Sequence, residues 1–469
     1  MDKQTKIIAT LSSNASVDLI KHLYLAGMNC VRINTAHQDV DQSLPLIKKI
    51  REVSNSIAIL VDTKGPEVRT TKTTTDLSLK KGDSIKLSAG SDTDFTTGAV
   101  IFVNYPDFCK HVALNSKILI DDGEVALLVK SKTDKELTCI IQNDAILGSR
   151  KTVNVPGTDF PIASLSKKDK LFIDFAIQNK LDFIAHSFVR NAKDVMAVKK
   201  LLKEANSDIK VIAKIENSAG VKNLDEILQV CEGIMIARGD LGIEIPAEKV
   251  PLVQKEIIRK CRAYGKISIT ATQMLQSMIT NPRPTRAEVS DVANAILDGT
   301  DVVMLSGETA KGAYPVECVN VMTRIALEAE NSMRLENNSI EYVTWMDEIT
   351  TALAKHAVEI ATVLKPAAFI VLTRKGSTAR LLSSFRSKTP IYAKCTEESA
   401  IRHLALVYGV HPSVIKNAKS SDEMTKTAMC SLVDEEKLKQ SDQVILVGGN
   451  NLKFGANKIE IKTVKNICE

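Results

Sequence analysis

Asn281-Pro-Arg-Pro-Thr-Arg-Ala-Glu-Val-Ser-Asp-Val-Ala-Asn-Ala-Ile-Leu-Asp-Gly-Thr-Asp-Val-Val-Met-Leu-Ser-Gly-Glu-Thr-Ala-Lys-Gly312 joins a proline-stiffened loop, an amphipathic helix, a buried strand and a polar strand end. Pro282 and Pro284 cannot sit inside a helix, whereas Ala287, Val289, Val292, Ala293, Ile296 and Leu297 recur at helical spacing on one face. The pattern predicts a helix from near Thr285 to near Gly299, then an apolar strand Val302–Leu305 whose carboxyl end turns polar at Ser306, Gly307, Glu308 and Thr309. A parallel strand delivers chemistry to the top of an α/β barrel in this way.

Further strands of the same kind are expected at Lys6–Leu11, Cys30–Asn34, Ile57–Asp62, Asp182–Ser187, Lys210–Ile215, Gly233–Ala237 and Ile267–Ala271, with helical patterns between them. Eight such strands predict an α/β fold, a (β/α)₈ TIM barrel with right-handed crossovers. From Pro66 to Pro161 the rhythm breaks into alternating Thr, Val, Ile and Leu with turn signals, which predicts an antiparallel β-domain inserted after strand 3. A long helical pattern at Ile349–Leu364 and strands at Ala368–Thr373, Ile391–Ala393 and Val444–Val447 predict a C-terminal α/β domain starting near Glu341. The expected division is 1–65 with 162–338 for the catalytic barrel, 66–161 for an inserted β-barrel lid, and 339–469 for the C-terminal domain.

The chain has 469 residues, enough for two or three cores. Its formal charge of +6 is spread over 62 basic and 56 acidic residues, and aromatics make up only 4%. That charge is mild and stacking platforms are few, which argues against nucleic acid as a partner. No apolar run is long enough to cross a bilayer and the first residues hold no apolar signal region, so a cytoplasmic location and no membrane partner are expected. Nine cysteines without a C-x-x-C pair predict buried free thiols in a reducing compartment.

Chemistry collects at the strand ends. In Val211-Ile-Ala-Lys-Ile-Glu-Asn217, alternation puts Lys214 and Glu216 on one side of the sheet, as a site or as an ordinary ion pair. Ala237-Arg-Gly-Asp240 follows the next strand, where Gly239 permits close backbone approach and the following amides suit a carboxylate or phosphate; a plain β-turn is the alternative. Glu216 and Asp240 form a hard-oxygen pair that suits Mg²⁺ or Mn²⁺ rather than zinc. Thr272 brings a hydroxyl to the same rim, in the simplest case as a cap. Arg32 and Asn34 end the second strand and Asp62-Thr63 the third. A cation, two carboxylates and an arginine on one rim suggest phosphoryl transfer, in which positioning and charge neutralisation dominate. Neither a P-loop nor a protein-kinase catalytic loop is present, so Arg69 and Lys151, beside Arg150, are candidates for nucleotide phosphates, with solvated surface as the alternative.

With those residues assembled, the chain resembles the pyruvate kinase family. The resemblance runs through Asp62-Thr-Lys-Gly-Pro-Glu67, Gly148-Ser-Arg-Lys-Thr-Val-Asn-Val-Pro-Gly157, Lys214-Ile-Glu-Asn217, Ala237-Arg-Gly-Asp-Leu-Gly-Ile-Glu244, Ala271-Thr-Gln-Met-Leu275 and the opening stretch, over nearly the whole chain. It implies transfer of phosphate from phosphoenolpyruvate to ADP, giving pyruvate and ATP. It further implies that Lys214 neutralises the moving phosphoryl group, that Glu216 and Asp240 hold Mg²⁺, and that the Gly239 and Asp240 amides with Thr272 bind the substrate carboxylate. Arg32 would grip the substrate phosphate, Thr272 and Ser306 would relay a proton to the enolate, and Asn34 and His37 would join Arg69 and Lys151 at the nucleotide.

The family's K⁺ site maps to Asn34, Asp62 and Thr63, plus a serine where this chain has Ala36, so K⁺ activation with weakened affinity is expected. Glu67 falls where K⁺-requiring members carry glutamate. Near the N-terminus the family's Thr-Ile-Gly-Pro-Ala-Ser is Thr10-Leu-Ser-Ser-Asn-Ala15 here, a departure that removes no charged participant. A homotetramer and a phosphorylated allosteric effector at Thr373–Thr378 are implied as well, with a ligand-free polar connection as the alternative for that loop. Outside this reading stand another Mg²⁺-dependent barrel acting on pyruvate or phosphoenolpyruvate, such as an aldolase or phosphonomutase, and a catalytically silent relative that senses a metabolite.

Overall fold

A computed structural model describes residues 3–91, 94–332, 346–415, 421–449 and 456–468. Eight parallel strands close into a barrel in chain order: Lys6–Thr10, Cys30–Asn34, Ala58–Asp62, Phe183–His186, Lys210–Ile215, Gly233–Ala237, Ile267–Ala271 and Val302–Leu305, the last pairing with the first. Side chains alternate along each strand. One set, including Ile7, Val31, Ile59, Ile184, Val211, Ile234 and Val303, packs outward in a cluster with the helices. The other set, Ile8, Cys30, Leu60, Phe183, Ile212, Met235, Ile269 and Met304, fills the barrel. Two residues further along, this inward set becomes Thr10, Arg32, Asp62, Lys214 and Ser306. The barrel is thus apolar at its base and polar at its carboxyl rim.

The opening stretch folds as helix Arg286–Leu297, strand Val302–Leu305 and a short helix Gly307–Ala310. Thr285 and Glu288 form a capping box at its start, and Glu288 also takes the Ser277 amide at 2.7 Å. Its packed face is narrower than the periodicity predicts. Val292, Ala295 and Ile296 are buried, whereas Val289 and Leu297 are 37% and 46% exposed. Helical spacing locates a face but does not fix how much of it a neighbour covers.

Between the third and fourth barrel strands lies a six-stranded sheet, ordered Val153–Asn154, Lys117–Ile120, Val125–Lys132, Glu136–Ile141, Ser84–Ala89 and Val100–Val103, with a two-stranded ribbon beside it. Its pairings are antiparallel except the last, which is parallel. Both chain connections to the barrel meet at one carboxylate: Asp169 Oδ1 accepts from the Lys64 and Gly65 amides, and Oδ2 from the Ser166 amide and hydroxyl. Gly65 has φ 71°, and a Cβ there would lie 2.7 Å from Phe188 Cδ2 and 2.9 Å from Ser187 Cβ. Only glycine fits that crossing.

The C-terminal sheet is ordered Val410–Val414, Ile391–Cys395, Ala368–Thr373, Gln443–Gly448 and Lys458–Thr463, the last strand antiparallel. Sequence periodicity misses both edge strands, and the expected domain start near Glu341 lies outside the described residues. The domain sits on the barrel base. Buried Asp182 is clasped by Arg402 at 2.6 Å and Arg51 at 3.1 Å, and Arg386 meets Asp301 at 2.9 Å. Seven cysteines are buried free thiols whose pKa values burial raises. Cys430, expected free, is instead disulfide-bonded. No helix among the described residues is long and apolar enough to cross a membrane.

Two histidines predict a pH dependence of stability. His186, at the end of the fourth barrel strand, is fully buried with no hydrogen-bond partner for either ring nitrogen among the described residues, and burial pushes its pKa down to about 4 against the pull of Asp194 and Asp169. Burial, reinforced by Lys210, does the same to His403. Unfolded histidine titrates near 6.5, so between those values the unfolded chain binds more protons than the folded one. Stability is complete above pH 6.5 and falls as pH drops toward 4, by about 3 kcal/mol for each such histidine. His186→Leu is expected to flatten this slope by its own share, measured as Tm against pH from 7 to 4.

Candidate active site at the barrel rim

Lys214 is the centre of the rim. Its ammonium lies 2.9 Å from Glu216 Oε1 and 3.1 Å from Asp62 Oδ1, and donates to Ser187 Oγ at 2.7 Å. Burial alone would lower its pKa, but the Asp62 and Glu216 carboxylates more than offset this and hold it well above the ordinary lysine value. The group is a permanent buried cation. Asp62 is buried too, which would raise its pKa, yet Lys214 and Arg32 together hold it below the usual carboxylate value. Arg32 reaches Asp62 Oδ2 with Nε at 2.6 Å and the Thr10 hydroxyl at 3.0 Å. The two cations expected at the substrate therefore share one anchoring carboxylate.

Asp240 stands in the first turn of a short helix, Arg238–Glu244, rather than in a plain turn. Burial and the neighbouring Glu216 carboxylate push its pKa up to about 7. Two carboxylates that resist joint ionisation are what a divalent cation relieves, and their oxygens suit Mg²⁺ or Mn²⁺. With only two such groups, further coordination positions stay open to substrate and water. Glu216 Oε2 also accepts the Phe188 amide at 2.6 Å, which fixes its orientation.

Thr272 and Gln273 follow the seventh barrel strand with φ of 68° and 54°, a conformation unusual for residues other than glycine. Arg238 holds this loop, donating to the Ala271 and Thr272 carbonyls at 3.2 and 2.8 Å, and is itself gripped at 2.7 Å by both oxygens of Asp291. Asp291 belongs to the helix of the opening stretch, so that helix braces the site. The Thr272 hydroxyl accepts from the Gly239 amide at 2.8 Å, a tie between the ends of the sixth and seventh strands, whereas the N-cap position of the Arg238 helix is Ala237. A Cβ on Gly239 would meet only ordinary contacts, 3.6 Å from Thr272 Oγ1. Any demand for glycine there comes from a ligand, not from the chain. Ser306 ends the eighth strand, its amide donating to the buried Glu308 at 2.7 Å.

The remaining expected residues are spread along the β2–β3 edge of the rim and the lid, counting barrel strands from Lys6–Thr10 as β1, Cys30–Asn34 as β2 and Ala58–Asp62 as β3. Asn34 pairs in register with Asp62, and its Oδ1 accepts the Ala36 amide at 3.1 Å; His37 follows in the same loop. Thr63 Oγ1 accepts the Ser187 amide at 3.0 Å. Thr35 is buried with an orphaned hydroxyl beside this set. The oxygen donors fit a monovalent cation, although Asp62 is shared with Arg32 and Lys214. Arg69 is bound to Glu67 at 2.7 Å and Lys151 to Asp121 at 2.7 Å, each of the two lysine and arginine side chains about 35% exposed.

Ser187 is the residue that sequence reasoning missed. It joins Lys214, Asp62 and Thr63, and its Oγ donates to the Thr63 carbonyl at 2.6 Å. Its only signal is its place at the end of a barrel strand. A cleft of about 370 Å³ opens between lid residues 152–160 and the barrel loops, with Glu67 and Asp240 on its wall. Of the carboxylate pair, Asp240 lines this cleft beneath the lid.

The family model "Pyruvate kinase, barrel domain" matches residues 2–319, and "Pyruvate kinase, alpha/beta domain" matches 351–462. The chain is 42% identical to a pyruvate kinase of Borreliella burgdorferi over 99% of this chain and 98% of the relative. It is 43% identical to that of Geobacillus stearothermophilus over 96% of this chain and 78% of the relative. The crystal structure of a pyruvate kinase from Cryptosporidium parvum superposes with a TM-score of 0.94 at 36% identity, covering 99% of this chain and 96% of that one.

Proposed function

Because the chain belongs to the pyruvate kinase family and transfers the phosphoryl group of phosphoenolpyruvate to ADP, giving pyruvate and ATP in glycolysis, we propose a role for each rim residue. Lys214 neutralises the phosphoryl group as it passes from the enol oxygen to the terminal phosphate of ADP. Arg32 grips that phosphate in the ground state. The Gly239 and Asp240 amides, with Thr272, bind the substrate carboxylate, which takes the place of the Thr272–Gly239 hydrogen bond. Bond breaking at phosphorus leaves an enolate, and Thr272 with Ser306 delivers a proton to its carbon through water. The observation that carries this reading is the buried Asp62–Lys214–Glu216 chain beside Asp240, a fixed cation flanked by a carboxylate pair.

The family requires a divalent cation, and its members with glutamate at the position of Glu67 require a monovalent one as well. Glu216 and Asp240 would hold Mg²⁺ or Mn²⁺, which neutralises phosphate charge when bound. Asn34, Asp62 and Thr63 would hold K⁺, while Arg69, Lys151, Asn34 and His37 meet the nucleotide once Glu67 and Asp121 release the first two. The units 1–65 with 162–338, 66–161 and 339–469 serve as catalytic barrel, lid and C-terminal domain.

A homotetramer is the family's assembly, and large apolar side chains stand exposed on both the barrel, at Val289, Leu297 and Leu252, and the C-terminal domain, at Ile349, Val363 and Ile461. A phosphorylated effector would meet the Thr373–Thr378 loop, where Gly376 turns at φ 85° into helix Ser377–Ser384. A cytoplasmic location suits the reaction.

The test is pyruvate formation from phosphoenolpyruvate and ADP with Mg²⁺ across a K⁺ titration. Activity should rise with K⁺, and Ala36→Ser, which restores a hydroxyl, should lower the half-saturating K⁺ severalfold. Equal rates in K⁺-free and K⁺-rich buffer would refute the K⁺ assignment.

A further inference from the structure

A second cavity, of about 400 Å³, lies at the lid hinge. It shares Pro66, Glu67 and Ile162 with the first cleft but not Asp240, and none of Lys214, Glu216 or Thr272 lines it. Its walls come from both linkers, from the start of helix Lys167–Gln178 and from the lid at Asn104 and Tyr105. Three ammonium groups, Lys64, Lys167 and Lys168, face a single carboxylate, Glu67. Glu67 is held closer by Arg69, at 2.7 Å, than by Lys64, at 3.6 Å. Among the described residues Lys168 has one ion pair, with Asp39, itself 75% exposed, and lies 5.8 Å from the Phe172 ring centre, while Lys167 has no ion pair. Opposite the lysines stand Pro66, Ile162 and the Tyr105 ring, which is backed by Phe160. A cavity with surplus positive charge, an apolar wall and the side-chain amide of Asn104 suits an anion on a flat apolar body.

We propose that this hinge cavity binds a small metabolite carrying a phosphate or carboxylate on a flat apolar body, and that the bound ligand weakens ADP binding. An anion in the cavity draws Lys64 away from Glu67, whose charge then falls wholly on Arg69 and keeps that guanidinium from the nucleotide. The coupling rests on the nucleotide role proposed for Arg69; the binding itself does not. Because the walls belong to lid and barrel together, the ligand also fixes the lid angle.

The test uses the full-length chain with phenyl phosphate and benzoate as probes, which separate phosphate from carboxylate recognition, and follows binding by ligand-observed NMR. Saturable binding of at least one probe is expected. Saturating Mg-ADP should weaken it to a plateau of about 3–10-fold, and the probe should weaken the equilibrium binding of Mg-ADP by the same factor while leaving that of phosphoenolpyruvate unchanged, as linkage requires. Lys167→Glu and Lys168→Gln should each lower probe affinity at least about fivefold, as expected for a lost charge-assisted contact, with kcat unchanged. Absence of saturable binding, displacement by ADP without a plateau, or binding indifferent to both substitutions would overturn the proposal. An unchanged Mg-ADP affinity with intact probe binding would overturn the coupling alone.

Discussion

Lys214→Met should lower kcat by about 10³-fold or more while the barrel still forms, since a charge-neutralising group at a transferring phosphoryl contributes on that scale. Methionine keeps the volume of the side chain and removes its charge. Asp62 retains Arg32, but Glu216 loses the ammonium 2.9 Å away and is left with the Phe188 amide and the neighbouring Asp240 carboxyl. An uncompensated buried carboxylate costs about 3–5 kcal/mol, so the variant should also unfold at lower temperature. Lys214→Arg separates the two effects: it keeps the charge and most of the stability, yet its planar fork cannot occupy the place of a point charge bonded to Ser187, Asp62 and Glu216. Steady-state kinetics with circular dichroism melts on both variants decide the matter. Near-normal turnover in the methionine variant would remove Lys214 from the chemistry.

The carboxylate pair predicts a different pattern. Asp240→Asn and Glu216→Gln should each raise the Mg²⁺ concentration for half-maximal activity by about 10–100-fold or more, the range seen when support for a metal site is lost, and lower kcat as well. Their metal-free stabilities should diverge. Asp240 presses against Glu216 in a buried setting, so Asp240→Asn relieves a like-charge contact and should raise the metal-free Tm. Glu216→Gln instead strips Lys214 of one of its two anionic partners and should lower it. Mg²⁺ should stabilise the wild type and neither variant. Melts with and without Mg²⁺ check this, and an Mg²⁺-dependent rise in Tm retained by Asp240→Asn would assign the metal elsewhere.

The barrel was legible because its strands obey one rule twice. Alternation separates outward Ile and Val from an inward set, and that inward set changes from Leu60 or Ile212 to Asp62 or Lys214 where the strand leaves the core. Residues on strand ends could therefore be named from sequence, and the comparisons establish the family to which they belong. What alternation cannot carry is a contact between strands. Ser187 looks like any serine after a strand until Lys214 and Thr63 converge on it. Arg238 reads as part of a glycine turn until Asp291, fifty-three residues later, is seen to grip it. The missed strands Val410–Val414 and Lys458–Thr463 lie at sheet edges. There Pro412 is tolerated and charged residues such as Lys458, Glu460 and Lys462 replace the apolar pattern of a central strand.

The meeting of both lid connections at Asp169 has a bearing on how such a protein came to be. Entry at Lys64 and Gly65 and exit at Ser166 are secured by the two oxygens of one side chain, so the intervening hundred or so residues begin and end at nearly the same point. The barrel spends no strand on them. A segment attached in this manner is a removable cassette, and the ancestral scaffold can be read as an uninterrupted eight-fold ring that acquired its cover in a single splice, without any renegotiation of the packing beneath it.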